Sequence, residues 1–387
     1  MEPKIRFKGF EGEWKKVKLG NVCSVNRGTR ITKKELNTNH SYPVYQNTNY
    51  PLGYYKNYNV EANNPYVIIG GSAGLIGFSN VPFWAADDCA YFGDNDSLDK
   101  TFLYSTLLFH IAEIKRNVRG SSVPRLDRST LIDLEINLPS FSEQQFIATY
   151  FRTLDNKIQT TSKKLASLKK LKSASLVAMF PQNGESTPKV RFKGFEGEWS
   201  KVELCSISKK VTTRNMEMQY TTTLTNSAEH GIIDQLAFFD HQVSNNDNIS
   251  GYYVVENGDF VYNPRISALA PVGPINQSQI GYTGVMSPLY YVFRVDGVDT
   301  DYLSYYFKTT LWHQYLKDVG NSGARFDRLA ITDSDFQKMP IYLPTNREEQ
   351  QAIATFFRSL DRKIALETAR LEKLKQIKLA CLDKMFV

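Results

Sequence analysis

The sequence predicts an α+β protein made of two pseudo-two-fold-related globular domains joined by two long antiparallel helices that form a coiled-coil spacer. Three observations predict it: a duplicated set of short motifs, β-rich runs punctuated by Gly, Pro and Asn, and two long stretches of helix formers without Gly. A chain of 387 residues is long enough for several domains, each burying its own core.

Lys4 to Leu19 (KIRFKGFEGEWKKVKL) returns as Lys189 to Leu204 (KVRFKGFEGEWSKVEL), with three of sixteen positions changed. Phe146 to Ile158 returns as Ala352 to Ile364, each copy preceded by paired glutamines, Gln144-Gln145 and Gln350-Gln351. Between these anchors the copies diverge, yet the pattern G-x-S-x-x-R-x-D-R recurs at an offset of 200: Gly120, Ser122, Arg125, Asp127 and Arg128, then Gly320, Ser322, Arg325, Asp327 and Arg328. The offset is 185 at the start of the unit and 206 at its end, so the second copy carries insertions, which belong in loops.

Short runs such as Tyr66 to Ile69 and Tyr290 to Phe293 read as strands of a mixed sheet. Lys100 to Arg116 has apolar residues at helical spacing and predicts one helix. Ser142 to Phe180 and Arg347 to Phe386 lack Gly and internal Pro and predict long helices. A heptad frame places Phe151, Leu154, Ile158, Leu165, Leu168 and Met179 on one seam, broken at Thr161, Lys172 and Ser175. The second seam holds Phe357, Leu360, Ile364, Leu371, Leu374, Cys381 and Met385, broken at Glu367 and Lys378. The two seams are expected to pack on each other, with the polar breaks setting register; independent packing on separate domains is the alternative. Each rod would span roughly 55 Å at 1.5 Å per residue. The expected division is 1–141 and 189–346 as globular domains, 142–180 and 347–387 as spacer helices, and 181–188 as a linker.

Composition narrows the function class. The formal charge is +7, with 47 basic against 40 acidic residues, which favours an anionic partner, most commonly nucleic acid. Cys23, Cys89, Cys205 and Cys381 are isolated and form no C-x-x-C pair, so they read as reduced thiols. No signal-peptide-like or membrane-length apolar run is present, and a cytoplasmic location is expected.

The sequence resembles the specificity subunits of type I restriction-modification systems. The resemblance rests on R-F-x-G-F-x-G-x-W at Arg6 to Trp14 and again at Arg191 to Trp199. It rests also on L-P-x-x-x-E-Q-Q-x-I-A at Leu138 to Ala148, matched with one extra residue at Leu343 to Ala354, and on the helices that follow. It covers the whole chain. It implies two target-recognition domains reading double-stranded DNA, held apart by the helices. It further implies assembly with two adenine-methylating modification subunits, which use S-adenosylmethionine, and with restriction subunits, which translocate and cut DNA using ATP and Mg. No cofactor and no membrane contact are implied for this chain itself.

Base discrimination needs donors and acceptors at base edges, whereas phosphate contacts set position, and arginine does both. Arg125 and Arg325 therefore head the candidates, with Arg128 and Arg328 as phosphate or structural partners and Ser122 and Ser322 as hydroxyl donors. Alternatively, Asp127 and Asp327 merely tie these arginines into a turn. Arg27, Arg30, Lys33 and Lys34 follow the first repeat, and Lys209, Lys210 and Arg214 occupy the corresponding place in the second. Arg265 and the polar run Asn47 to Asn49 are single-copy candidates.

Catalytic readings find little support. The glycines of IIGGSAGLIG (Gly70, Gly71, Gly74, Gly77) precede no Lys-Ser/Thr pair and read as a β-turn, or as a place where backbone approaches DNA closely. Glu113 and Lys115 with Asp99 faintly suggest a nuclease triad but do not recur in the second copy, and the five histidines make no ligand set. No N-P-P-Y-type methyltransferase element occurs, so methyl transfer, which requires an extruded base, falls to another chain. The expected function is recognition of an asymmetric bipartite target with a fixed gap. A stand-alone coiled-coil DNA-binding regulator is the rival.

Overall fold

The computed structural model describes residues 2–182, 184–238, 246–321 and 327–387. It forms two compact units, Met1–Lys164 with Glu367–Val387, and Leu165–Leu366. The spacer helices are thus not separate from the globular parts: each unit takes part of each helix, because both helices pack into the cores they adjoin.

In the first unit, β1 (Lys15–Lys18) pairs antiparallel with a strand that closes the domain, Glu135–Leu138. An antiparallel four-stranded sheet is built from β2 (Val25–Arg27), β3 (Asn64–Ile68), β4 (Ile76–Ser79) and β5 (Cys89–Phe92), in the order β2-β5-β3-β4. Every residue of β3 is buried, as expected for a central strand covered on both faces. α1 (Lys100–Phe109) starts where the Asp99 carboxylate accepts the amides of Thr101 and Phe102. The single helix expected over Lys100 to Arg116 is in fact two. His110, at φ −82° and ψ 9°, ends α1, and a second helix, Ile111–Arg116, follows. α2 (Arg128–Ile132) leads into β6 (Glu135–Leu138) and then α3 (Phe141–Ala178).

The second unit repeats this plan. β7 (Ser200–Glu203) pairs with Pro340–Leu343, and a four-stranded antiparallel sheet has the order β8-β11-β9-β10. Its strands are β8 (Ser208–Lys210), β9 (Phe260–Tyr262), β10 (Ile275–Gln277) and β11 (Tyr291–Val295). α4 (Thr300–Tyr306) is capped by Asp299, α5 (Asp333–Gln337) by Thr332, and after β12 (Pro340–Leu343) the chain enters α6 (Arg347–Met385).

The duplicated motif now has a physical account. Arg6 forms a bidentate pair with buried Glu143, at 2.7 and 2.8 Å, while donating to the carbonyls of Glu11 and Gly12. The peptide therefore wraps round the guanidinium, and Gly9 and Gly12 take the positive φ values of 97° and 82° that the wrap requires. Arg191, Glu349, Gly194 and Gly197 repeat it in the second unit. The paired glutamines are also explained: the Asp99 amide donates to Gln144 Oε1 and the Asp299 amide to Gln350 Oε1, both at 3.0 Å.

Within each unit the helix segments run antiparallel. In the first, Asp155 of α3 accepts from Lys378 of α6 at 2.6 Å, Tyr150 lies 3.3 Å from Cys381, and Lys164 pairs with Glu367 at 2.5 Å. In the second, Lys172 donates to Asp361 at 2.5 Å and Phe180 packs on Phe357. Asp361 and Lys378 lie 206 residues after Asp155 and Lys172 respectively, so the same Asp–Lys pair is made once in each unit, each time between the two copies. The seam is buried at Phe151, Leu154, Leu165, Met179, Phe357, Leu360, Leu371 and Met385, and half-buried at Ile158, Leu168, Ile364 and Leu374. The polar breaks Thr161, Ser175 and Glu367 are buried in it as well, which makes the register costly to shift.

The helix ends are plugs. Phe386 enters the first core against Phe102, Phe109, Phe151 and Trp14, with ring centroids 5.6 to 6.2 Å away. Phe180, 206 residues earlier, does the same in the second unit against Tyr302, Tyr306, Phe357 and Trp199. None of the described helices is long and apolar enough to cross a membrane.

Candidate nucleic-acid interface

In the first unit the site is built by backbone contacts that only glycine permits. Arg119 and Arg125 exchange both backbone hydrogen bonds at 2.8 Å, closing a hairpin whose turn carries exposed Ser122. Gly120 takes φ 87° in this hairpin. The hairpin docks on the end of β3, where Gly71 N–H donates to Pro124 O at 3.0 Å and Leu126 N–H to Ile69 O at 2.9 Å. A Cβ on Gly70 would lie 2.3 Å from Asp88 Oδ1, so glycine lets that carboxylate sit beneath the hairpin. Arg125 lies 3.7 Å from it with its side chain 63% exposed, so the carboxylate steadies the guanidinium and most of its donors remain free. The glycine run therefore joins protein segments: Gly71, at φ 80°, also brings in Asn47, whose carbonyl accepts from Ser72 N–H at 3.0 Å.

The early basic cluster lies along the neighbouring edge. Gly28 N–H donates to Cys89 O and Thr29 N–H to Ala85 O, and a Cβ on Gly28 would meet the Ala86 carbonyl at 2.2 Å. Arg27, at the end of β2, donates to Asp87 O at 2.6 Å, next to the Asp88 that faces Arg125. Arg30 is exposed beside buried Ile31, and Lys33 and Lys34 lie exposed in a single turn of 3-10 helix boxed by Thr32 and Glu35.

Asp127 is a helix cap. Its carboxylate accepts from Ser129 N–H at 3.0 Å, which holds its pKa below the usual carboxylate value, and Arg128 begins α2 exposed. The turn-tying alternative thus describes part of what Asp127 does, through the helix rather than through the arginines.

The second unit does not repeat the constellation in register. Ser322 and Arg325 lie outside the described residues. Arg328 forms the bridge to Arg265 that Arg125 forms to Gly70, with Ile266 N–H donating to Asp327 O and Leu329 N–H to Pro264 O. In the bridge to the strand end Arg328 therefore takes the place of Arg125, at an offset of 203 rather than 200, while in the hairpin bridge that place is taken by Ala330, opposite Asn321. The cap equivalent to Asp127 is Thr332, at 205. Spacing within a loop tracks sequence; pairing tracks the hydrogen-bond ladder, and inserted residues separate the two.

Arg265 is 68% exposed, 3.8 Å from the Asp327 carboxylate, and its own amide donates to Asn263 Oδ1. With Arg328, Gln235, Asn226, Ser267 and Tyr290 it lines a cleft of about 340 Å³. Lys209 is exposed on β8. Lys210, which holds the β8 position that Arg27 holds on β2, is engaged by Asp333 and packs 5.0 Å over the Tyr291 ring. Arg214 donates to Gly251 O at 2.5 Å and lies 5.0 Å over the Tyr253 ring. Lys210 is thus engaged by a carboxylate and half-buried, whereas Arg125, Arg265 and Arg214 each keep an exposed side chain beside a single polar partner.

Sequence reading passed over Arg119, the exposed partner of Arg125, and Gln46, which donates to Asp87 Oδ1 at 3.3 Å. Arg119 had a signal in the basic run Lys115-Arg116 to Arg119; Gln46 had none, because its neighbour is 41 residues away.

Comparison with known proteins adds three findings. The family model described as type I restriction modification DNA specificity domain matches twice, over residues 11–170 and 202–376. The type I restriction enzyme MjaVIII specificity subunit of Methanocaldococcus jannaschii is 22% identical, covering 95% of this chain and 90% of its own, and the EcoDI specificity subunit of Escherichia coli is 36% identical over 94 residues, 23% of this chain and 21% of its own. The crystal structure of the S subunit of a type I system from M. genitalium superposes with a TM-score of 0.68 at 15% identity, covering 100% of this chain and 99% of that one.

Proposed function

The chain belongs to the type I restriction-modification specificity-subunit family, and from that premise we propose that its two units read two different half-sites separated by a gap that the long helices set. In this family the specificity subunit recognises DNA and is not itself catalytic; modification and restriction are done by the partner subunits with which it assembles. The stand-alone regulator is thereby set aside.

One observation carries the finer reading. The framework of the two units is repeated pair for pair, from Arg6–Glu143 and Arg191–Glu349 to Asp155–Lys378 and Lys172–Asp361, while the arginine-bearing loops differ. Equal frameworks support equal docking of two modification subunits, which would bring S-adenosylmethionine; unlike loops support unlike half-sites. Arg125 and Ser122 in one unit, and Arg265 with Arg328 in the other, are the proposed base-edge readers, and Arg325 with Ser322 joins them on sequence alone. Arg27, Arg30, Lys33, Lys34, Arg128, Lys209 and Arg214 are the proposed phosphate contacts.

Methylome sequencing of cells carrying the native chain, Arg125→Ala or Arg265→Ala tests this. The expected result is relaxed or lost recognition in one half-site for the first variant and in the other for the second. Removing one heptad from each helix should change the gap and leave both half-sites alone. A heptad deletion that changed the half-site bases would sink the reading.

A further inference from the structure

We propose that each unit carries an apolar wedge that inserts between bases of the duplex beside its arginine reader: Tyr50 in the first and Leu269 in the second. The proposal rests on the reading of the two units as DNA-reading heads and adds a way for them to deform the target.

Of the large hydrophobic side chains described, Tyr50 is the most exposed, at 76%, and Leu269 follows at 71%, level with Met216. A single exposed apolar residue needs no explanation. What singles these out is where they stand and how firmly they are held. Tyr50 tops a loop whose conformation is set by its own hydrogen bonds: Thr48 Oγ1 donates to Tyr50 O at 3.0 Å and accepts the Tyr50 amide at 3.3 Å. Leu52 N–H donates to Val44 O at 2.8 Å on one side. On the other side, Asn47 O accepts from Ser72 N–H beside Gly71, the glycine on which the Arg125 hairpin docks. Tyr50 and Arg125 are therefore presented by two loops that share a backbone junction.

Leu269 is held by different chemistry to the same effect. Ser267 and Ala270 exchange backbone hydrogen bonds at 3.0 and 3.1 Å, closing a two-residue turn that projects Ala268 and Leu269. The turn begins two residues after Arg265, and Ser267 and Arg265 line one cleft. Met216 likewise lies two residues from Arg214. The turns are closed by hydrogen bonds and hold the apolar tips in water, an arrangement that gains free energy only when the tips leave water.

A duplex offers such a place between base steps. Apolar side chains inserted there unstack a step and kink the helix, and neighbouring cations offset the phosphate repulsion of the bend. Partial unstacking also lowers the work of extruding a neighbouring base for methylation.

The test uses the full chain assembled with its modification subunits and a duplex bearing the native target, with 2-aminopurine placed at each half-site in turn. Tyr50→Ala should weaken target binding by roughly 5- to 150-fold, the range for loss of one aromatic stacking contact, and abolish the fluorescence rise in its own half-site. Tyr50→Phe should behave as native. Leu269→Ala should weaken binding about tenfold and silence the other half-site. Native affinity and native fluorescence in both alanine variants would overturn the wedges while leaving the heads intact, since a footprint over both half-sites would persist. A native complex whose footprint misses both units would instead overturn the underlying reading. Loss of assembly with the modification subunits at unchanged DNA affinity would assign the tips to a protein interface and also overturn the proposal.

Discussion

Replacing Phe386 by Ala should open the first unit and leave the second closed. The ring is 4% exposed and lies against Trp14, Phe102, Phe109 and Phe151, so nearly all of its surface is withdrawn from water. A Phe side chain buries about 150–250 Å², which at about 25 cal/mol per Å² corresponds to about 4–6 kcal/mol. Measured Phe-to-Ala losses of about 3–5 kcal/mol agree with that range. Because each 1.4 kcal/mol is a factor of ten, amide hydrogens of α1 and of residues 141–164 of α3 should exchange roughly two to four orders of magnitude faster. Hydrogen-exchange mass spectrometry reads both units in one experiment. Phe180→Ala is the mirror control and should free α4 and the start of α6. A rise below about fivefold in α1, or an equal rise in α1 and α4, would refute the idea that each helix end locks one core.

Three further outcomes are expected. Asp155→Asn leaves Lys378, 18% exposed, without its carboxylate, which should cost about 1.5–3 kcal/mol in chemical denaturation; the reversal Asp155→Lys with Lys378→Asp should recover most of it. Gly28→Ala drives a Cβ into the Ala85 and Ala86 carbonyls, so the Arg27–Arg30 segment must lift; a loss of about 1–3 kcal/mol and weakened target binding in gel-shift titrations are expected. The Asp127 carboxyl is held below its usual pKa by the Ser129 amide, so its capping stabilisation is full above the ordinary carboxylate pKa and fades as pH falls through the depressed value. Asp127→Asn should therefore flatten the pH dependence of exchange in α2 across that acidic window.

The duplicated motifs could be found in sequence because identity at matched spacing is a one-dimensional property, but the reason for them could not. Arg6 lies 137 residues from Glu143, and only the fold shows that R-F-x-G-F-x-G-x-W is a wrap round a bidentate ion pair with Trp14 as its plug. The long helices were legible because their periodicity is local. The break at His110 was not, because apolar spacing continues across it and the change is one of backbone angles. Lys172 and Lys378 stood out as polar interruptions of the seam, yet their partners Asp361 and Asp155 sit off the seam positions and emerge only from antiparallel packing.

By itself, then, the sequence determined two copies of one α+β unit, two amphipathic helices and an excess of basic side chains, since repetition, hydrophobic period and charge are additive along a chain. Tertiary structure decided which basic side chains are exposed and which are tied. Arg125 and Arg265 keep most of their surface, while Lys210 is engaged by Asp333 and lies over the Tyr291 ring. It also decided that Arg328 takes the place of Arg125 in the bridge to the strand end. The physical reason is that a hydrogen bond depends on distance and direction in space, and insertions in a loop change the residue count without changing the ladder on which the loop ends.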